Sequence, residues 1–175
     1  MFATIYLPNF YLQAAMRHQP ELRVKPVALI EEQEKKPVII QLNEAAEQAG
    51  IRKGMTPSQA LARYLQVTIK VRVRRQEKSI QEMLLHYAFT LSPFVEATAP
   101  GTCSIQFTDN RDLSVKVSRV IEQLAECEIT AQVGIAPTPD TSLLIAHLAR
   151  PVLQVENPKE FLAPLPVETL VMIGT

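Results

Sequence analysis

From residue 76 to residue 149 the apolar pattern changes period in a fixed order: helix, hairpin, helix, strand, helix. Gln76 to Leu91 repeats at helical spacing and stops at Ser92-Pro93, because a residue before proline is pushed out of the helical region. FVEATA (94–99), the Pro100-Gly101 turn and TCSIQF (102–107) read as a hairpin. LSVKVSRVIEQLAEC (113–127) is helical, ITAQVGI (129–135) a strand, and DTSLLIAHLA (140–149) helical again. PVLQV gives a last strand before proline-rich coil. With the apolar strand of residues 2–7 in front, this order predicts an α+β fold: a mostly antiparallel sheet with helices on one face.

The segment between does not fit that sheet and reads as a smaller inserted lobe. A helix is expected from Phe10 to about His18, then strands over 24–30 and 36–42, split by the charged EEQEKK turn. NEAAEQAG (43–50) is a short helix ended by Gly50. TPSQALARYL (56–65) carries a strong start signal: Thr56 as N-cap, Pro57 at the first helical position and Gln59 completing a capping box. VTIKVRV (67–73) alternates as a half-solvated strand does.

Thirteen prolines against five glycines argue for stiff turns rather than a glycine-rich phosphate loop. A formal net charge of zero gives no global pull toward nucleic acid or anionic membrane, so any basic function must be local. Cys103 and Cys127 lack metal-ligand spacing and read as buried thiols of a reducing cytoplasm. His18, His86 and His147 occur singly on helices, which suits packing better than ligation. No apolar run is long enough to span a bilayer, so a soluble, cytoplasmic protein with no membrane partner is expected.

Four segments resemble, in order and in spacing, the Y-family translesion DNA polymerases of the DinB/UmuC type. PELRVKPVALI (20–30) is similar to the family's PxLRGKPVAV, and AGIRKGMTPSQALAR (49–63) to FGVRSGMPLxEALR. SPFVEATAPGTCSIQFT (92–108) is similar to SPxVExxSIDEAYLDLT, and VGIAPTPDTSLLIAHLARP (133–151) to VGIAPNKxLAKxASDLxKP. LPVETLVMIGT (165–175) resembles the LPVxxLxGIG that leads into the family's thumb. The resemblance implies a ferredoxin-like palm over 1–9 and 75–165, a fingers lobe over 10–74, and the start of a thumb over 166–175. The thumb and little-finger regions would fall outside this sequence.

The same resemblance implies an emptied site. Polymerase chemistry needs two divalent ions held by carboxylates, and the family supplies these from DMDAFF and from the Asp-Glu of SIDE. DMDAFF falls on YLPNFY, placing Tyr6 and Pro8 where the aspartates would stand. SIDE falls on Ala99 to Thr102, placing Gly101 and Thr102 at the Asp-Glu pair. None is a hard anionic oxygen, so no catalytic residue, metal or cofactor is expected; Mg²⁺ would enter only if the site were active after all. At the nucleotide positions Phe10 and Tyr11 are retained, Glu44 and Glu47 replace a Tyr and an Arg, Pro139 replaces a Lys, and Arg150 keeps its charge. Glutamates there would repel a triphosphate, by roughly 4 kcal/mol for a contact at about 4 Å with an effective dielectric of about 20.

Losses confined to the metal and phosphate positions imply an inactive branch of the family, and APTPDTSLLIAHLA (136–149), with proline in place of the family's Asn-Lys, most resembles the ImuB type. That branch implies an adaptor in damage-induced (SOS) mutagenesis, with a RecA-like ImuA-type protein, a specialised replicative-type polymerase and the sliding clamp as partners. DNA contact would rest on Arg52 and Lys53 in the IRKGM turn and on Lys70, Arg72 and Arg74, which VTIKVRV and its continuation place on one strand face. The alternative for that basic run is a solvated edge protected by charge. Two other functions stay open. A nucleotidyltransferase could use relocated carboxylates such as Glu96, Asp109 and Asp112, although the last two read as a turn and helix cap. Or the fold could serve protein interaction alone.

Overall fold

The computed structural model describes residues 1–31 and 35–166. The middle of the EEQEKK turn and all but the first two residues of the LPVETLVMIGT segment, hence nearly all of the expected thumb-like region, lie outside the described residues. The chain divides into two compact units: Met1–Pro8 with the residues from Gln81 on, and Asn9–Ile80.

The first unit is built from strand β1 (Phe2–Tyr6) and, later in the chain, strands that return to it. In the second unit lie α1 (Phe10–Met16), β2 (Val27–Ile30), β3 (Ile39–Leu42), α2 (Glu44–Gln48), α3 (Pro57–Arg63) and β4 (Thr68–Val71). Helix α4 (Arg74–Leu91) contains the division between the units. Then follow β5 (Val95–Ala99), β6 (Thr102–Gln106), α5 (Leu113–Glu126), β7 (Gln132–Ala136), α6 (Pro139–Leu148), β8 (Val152–Gln154) and α7 (Pro158–Leu162).

In the first unit the sheet order is β5-β6-β1-β7-β8. β1 pairs antiparallel with both β6 and β7, and β5 with β6, so the four strands form the split βαββαβ arrangement of a ferredoxin-like sheet. β8 adds on in parallel to β7, the connection running through α6 because a parallel neighbour needs a crossover. Alternation places Ala3, Ile5, Cys103, Ile105, Val133 and Ile135 on one face, all fully buried. The other parity carries Thr4, Ser104 and Gly134, and α6 lies against it. A Cβ at Gly134 would stand 2.2 Å from the Ser142 carbonyl oxygen and 2.3 Å from the Ala146 nitrogen, so only glycine admits the helix this close. The buried Thr4 hydroxyl meets the Ser142 hydroxyl at 2.6 Å and that of Ser104 at 3.3 Å.

The second unit holds a three-stranded sheet in the order β3-β2-β4, antiparallel on one side of β2 and parallel on the other. Leu12, Ala15, Leu22, Val27 and Leu29 form a core on one face, and Ala28, Ile39, Leu42, Ala46, Ile51, Ala60 and Val67 a core on the other. Asn43 ties the pieces: its Oδ1 accepts from the Val27 and Ala46 amides at 3.0 Å each, and its Nδ2 donates to the Lys25 carbonyl at 2.7 Å. The capping box at Thr56 and Gln59 forms with both of its hydrogen bonds.

Three local expectations need correction. Residues 20–24 form a 3-10 turn and the strand begins only at Val27, because Pro26 has no N–H for the ladder. The stretch after β8 is not all coil: Pro158 opens α7 from its first position, where its missing N–H is harmless. And β4 ends at Val71, so Arg72 and Arg74 do not share a strand face with Lys70. The second compact unit runs to Ile80. The first turns of α4 hold it there, through Glu77, which pairs with Arg72, and Ser79, which accepts from Arg17 at 3.0 Å.

Candidate functional site

Strand register gathers the four positions that the resemblance singles out. Tyr6 stands directly opposite Thr102. The next residue, Leu7, donates its N–H to the Gly101 carbonyl at 2.8 Å, and Pro8 follows. Gly101, the residue after Pro100 in the turn, occupies the left-handed region, with φ +71°, which glycine adopts without steric cost. Its own N–H is taken by Gln81 Oε1 at 2.7 Å.

The chemistry of this junction is aromatic and hydroxylic. The Tyr6 ring packs on the His147 imidazole of α6, centroids 4.0 Å apart and tilted by 37°. Burial pushes the Tyr6 phenol up and the His147 imidazole down, so both stay neutral near pH 7. On the other side of Tyr6, Gln132 of β7 is its strand partner. In the orientation that satisfies both of its ends, the Gln132 amide donates to the Ala146 carbonyl at 3.2 Å and accepts from Arg150 Nη1 at 2.9 Å. Arg150, the one basic nucleotide position retained, also donates to its neighbour's carbonyl at 2.7 Å.

A neutral phenol, a proline ring, a glycine and a buried hydroxyl do not fit Mg²⁺, which takes carboxylate and phosphate oxygens in octahedral geometry. Among the described residues no group of three His, Cys, Asp or Glu is placed to hold a metal. The candidate substitutes do not gather into such a group. Asp109 accepts from Arg111 Nε at 3.1 and 3.2 Å and lies 3.9 Å from Lys116, and the Arg111 contact holds its carboxyl below the usual range. Asp112 sits at the N-cap position of α5 with φ +54°, but its side chain makes no capping bond. Glu96 is an exposed residue of β5 opposite Ser104, lining a groove of about 300 Å³ with Phe2, Phe94 and Thr98.

The remaining predicted residues belong to the second unit. Phe10 is buried and its ring meets Tyr11 edge-on, centroids 5.4 Å apart. The Arg72 guanidinium lies 3.8 Å from the Tyr11 ring centroid. Arg72 makes a forked contact to Glu77, Nε to Oε1 at 2.8 Å and Nη2 to Oε2 at 2.6 Å, and its Nη1 reaches Glu31 at 2.8 Å. Those hydrogen bonds raise its already high pKa further. Arg74 joins at 3.3 Å from Glu31, and Lys70 donates to Gln19 at 2.6 Å. Arg72 is thus a locked interior cation, its side chain 13% exposed. Glu44 and Glu47 are exposed on α2, the first accepting from Gln48 at 3.1 Å. Arg52 Nη1 donates to the carbonyls of Glu47 and Ile51 at 2.7 and 2.8 Å, and Lys53 is exposed in the turn before Gly54.

Sequence reasoning missed two pairings, Tyr6 with His147 and Arg72 with Tyr11. Each joins residues more than fifty positions apart, and no local spacing announces either.

This fold is that of known polymerase structures. The crystal structure of DinB from Sulfolobus solfataricus superposes with a TM-score of 0.82 at 15% identity, covering 96% of this chain and 52% of that one. The insertion ternary complex of Dbh DNA polymerase gives 0.84 at 14% identity, covering 96% and 53%. In sequence, residues 5–147 match the impB/mucB/samB (IMS) family. The chain belongs to that family. Similar proteins include the DNA polymerase IV of Legionella pneumophila subsp. pneumophila, 29% identical, and that of Pectobacterium atrosepticum, 25% identical; each alignment covers 94% of this chain. The chain spans about half the length of these relatives, 49% of each.

Proposed function

We propose that the chain is the palm-and-fingers portion of a polymerase-like protein of DNA repair and translesion synthesis, acting as a non-catalytic adaptor of the ImuB kind. One observation carries the reading: register sets Tyr6 against Thr102, with Gly101 and Pro8 adjoining, and none of these four residues, which the resemblance takes for the family's metal positions, is a carboxylate. Relatives named DNA polymerase IV support the DNA setting. In this role the chain contacts primer-template DNA weakly, through exposed cations such as Arg52 and Lys53. It works in the cytoplasm with a RecA-like ImuA-type protein, a specialised replicative-type polymerase and the sliding clamp.

Primer extension tests the reading. With Mg²⁺ or Mn²⁺ and all four dNTPs, incorporation is expected to stay at the level of a no-protein control. In parallel, anisotropy on a labelled primer-template is expected to show binding that falls steeply with salt and ignores added dNTP. Metal-dependent incorporation by the chain would overturn the adaptor role in favour of a reorganised transferase site.

A further inference from the structure

Strand order leaves β5 at one edge of the five-stranded sheet, paired only with β6. The Gln106 N–H donates to the Phe94 carbonyl at 2.9 Å, and Glu96 stands opposite Ser104. Hydrogen-bonded positions alternate along an antiparallel pair, so Phe94 and Glu96 turn their backbone groups to β6 while Val95 and Ala97 turn theirs outward. Among the described residues no backbone group meets Val95 or Ala97 on that outer side. The register shifts between Ala97 and Ala99, so the open stretch is short. It is nevertheless a row of unpaired donors and acceptors that a further strand can use.

The side chains beside this edge say what kind of strand fits. Phe2, Phe94, Glu96, Thr98, Ser104 and Gln106 line the groove of about 300 Å³ on the face of the sheet that bears Thr4. Phe94 is 55% exposed there. Glu96 is the one charge in the lining, and no Lys or Arg joins it. From Ser79 to Asn110 the chain carries Glu82, Glu96 and Asp109 and neither Lys nor Arg. Asp109 is met by Arg111 and Lys116, whereas Glu96 forms no ion pair among the described residues. A carboxylate without a cation, sharing a groove with two phenyl rings, complements a guanidinium or ammonium, which hydrogen-bonds the first and lies over the second. Nucleic acid does not fit, because its phosphates would meet this carboxylate and find no cation. A second copy does not fit either, since two β5 edges joined at Glu96 set like charges opposite each other.

We propose that β5 is a docking edge for an extended basic segment of a partner protein, which joins the sheet as a sixth strand. The segment's backbone pairs with Val95 and Ala97. A residue opposite Glu96 falls on the groove face of the sheet, and there an arginine or lysine meets the carboxylate and lies against Phe2 and Phe94. Main-chain bonds supply the affinity and the groove the selectivity, as in other strand-addition complexes. The edge uses none of Tyr6, Pro8, Gly101 or Thr102, so it stands whether or not the chain extends a primer.

The test is anisotropy of the whole chain against a labelled eight-residue peptide in which arginine alternates with valine. A second peptide has glutamate for every arginine, and two more carry N-methyl groups on the arginines or on the valines. Saturable binding of the arginine peptide is expected, at least tenfold weaker in Glu96→Lys and at least tenfold weaker for the glutamate peptide. One N-methylated peptide should lose binding and the other keep it, because only one side of an added strand faces β5. Glu122→Lys, on α5 against β7 and β8, should bind as the parent does. Glu96 and Glu122 are both exposed, so circular dichroism should show both variants folded, and the N-methyl comparison leaves the protein unaltered. Absence of saturable binding overturns the proposal, as does binding that Glu96→Lys leaves intact or that both N-methylated peptides retain. Self-association in sedimentation that the arginine peptide does not displace also overturns it, by giving the edge to a second copy.

Discussion

Replacing Arg72 by alanine is expected to cost about 3 kcal/mol. Side-chain exposure is 13% for Arg72 and 9% for Glu77. The fork between them runs at 2.6 and 2.8 Å, and Glu31 is held at 2.8 Å by the same guanidinium. Removing one partner of a buried pair strands the other, which ordinarily costs about 3–5 kcal/mol. The lower end applies because Arg74 Nη1 remains 3.9 Å from Glu77 and 63% exposed, offering a weak substitute. Arg72→Lys keeps the charge but loses the fork and the stacking on Tyr11, so an intermediate loss of about 1–2 kcal/mol is expected. Arg72→Met with Glu77→Leu removes both charges and should recover most of the stability. Urea denaturation followed by circular dichroism measures each loss, and hydrogen exchange of the β2 and β4 amides locates it in the second unit. A cost below about 0.5 kcal/mol for Arg72→Ala, or a double variant as unstable as the single, would refute the reasoning and make the cluster an ordinary surface network.

Gly134→Ala probes the other unit: its new Cβ at 2.2 Å from the Ser142 carbonyl forces α6 off the sheet. Such overpacking is expected to cost about 3 kcal/mol, lowering Tm by about 6–12 °C at this chain length. A Tm within about 2 °C of the parent contradicts that packing. His147 tests the junction: burial depresses its folded pKa below 6.5, so the unfolded chain binds the proton more tightly. Its contribution is therefore complete above about pH 6.5 and is lost as pH falls through and below that value. His147→Gln should flatten the stability slope between pH 7 and 5 in urea titrations; an unchanged slope excludes His147 as its source.

Much of the fold was legible because it was written in local signals. The Thr56-Pro57-Gln59 capping box, the Pro100-Gly101 turn and the period changes after residue 76 each depend on neighbours a few positions apart. Pro158 was misread for the complementary reason: the same ring that stops a helix from within can begin one, and only the surrounding packing chooses. At the candidate site the sequence shows that Tyr6, Pro8, Gly101 and Thr102 include no carboxylate, since residue identity is read straight off a motif. How those residues pack could not be read.

By itself the sequence determined the order of strands and helices, the family and the absence of anionic ligands at Tyr6, Pro8, Gly101 and Thr102. Periodicity, turn chemistry and side-chain functional groups are properties of the chain before it folds. Tertiary structure alone decided that Tyr6 packs on His147 and that Arg72 is spent on Tyr11, Glu31 and Glu77 rather than left for phosphate. It also left Lys53 and Arg63 without ion pairs among the described residues. A charge is available for binding only if no internal partner reaches it. That depends on distances of a few ångströms between residues tens of positions apart, which strand register and helix packing set and composition does not.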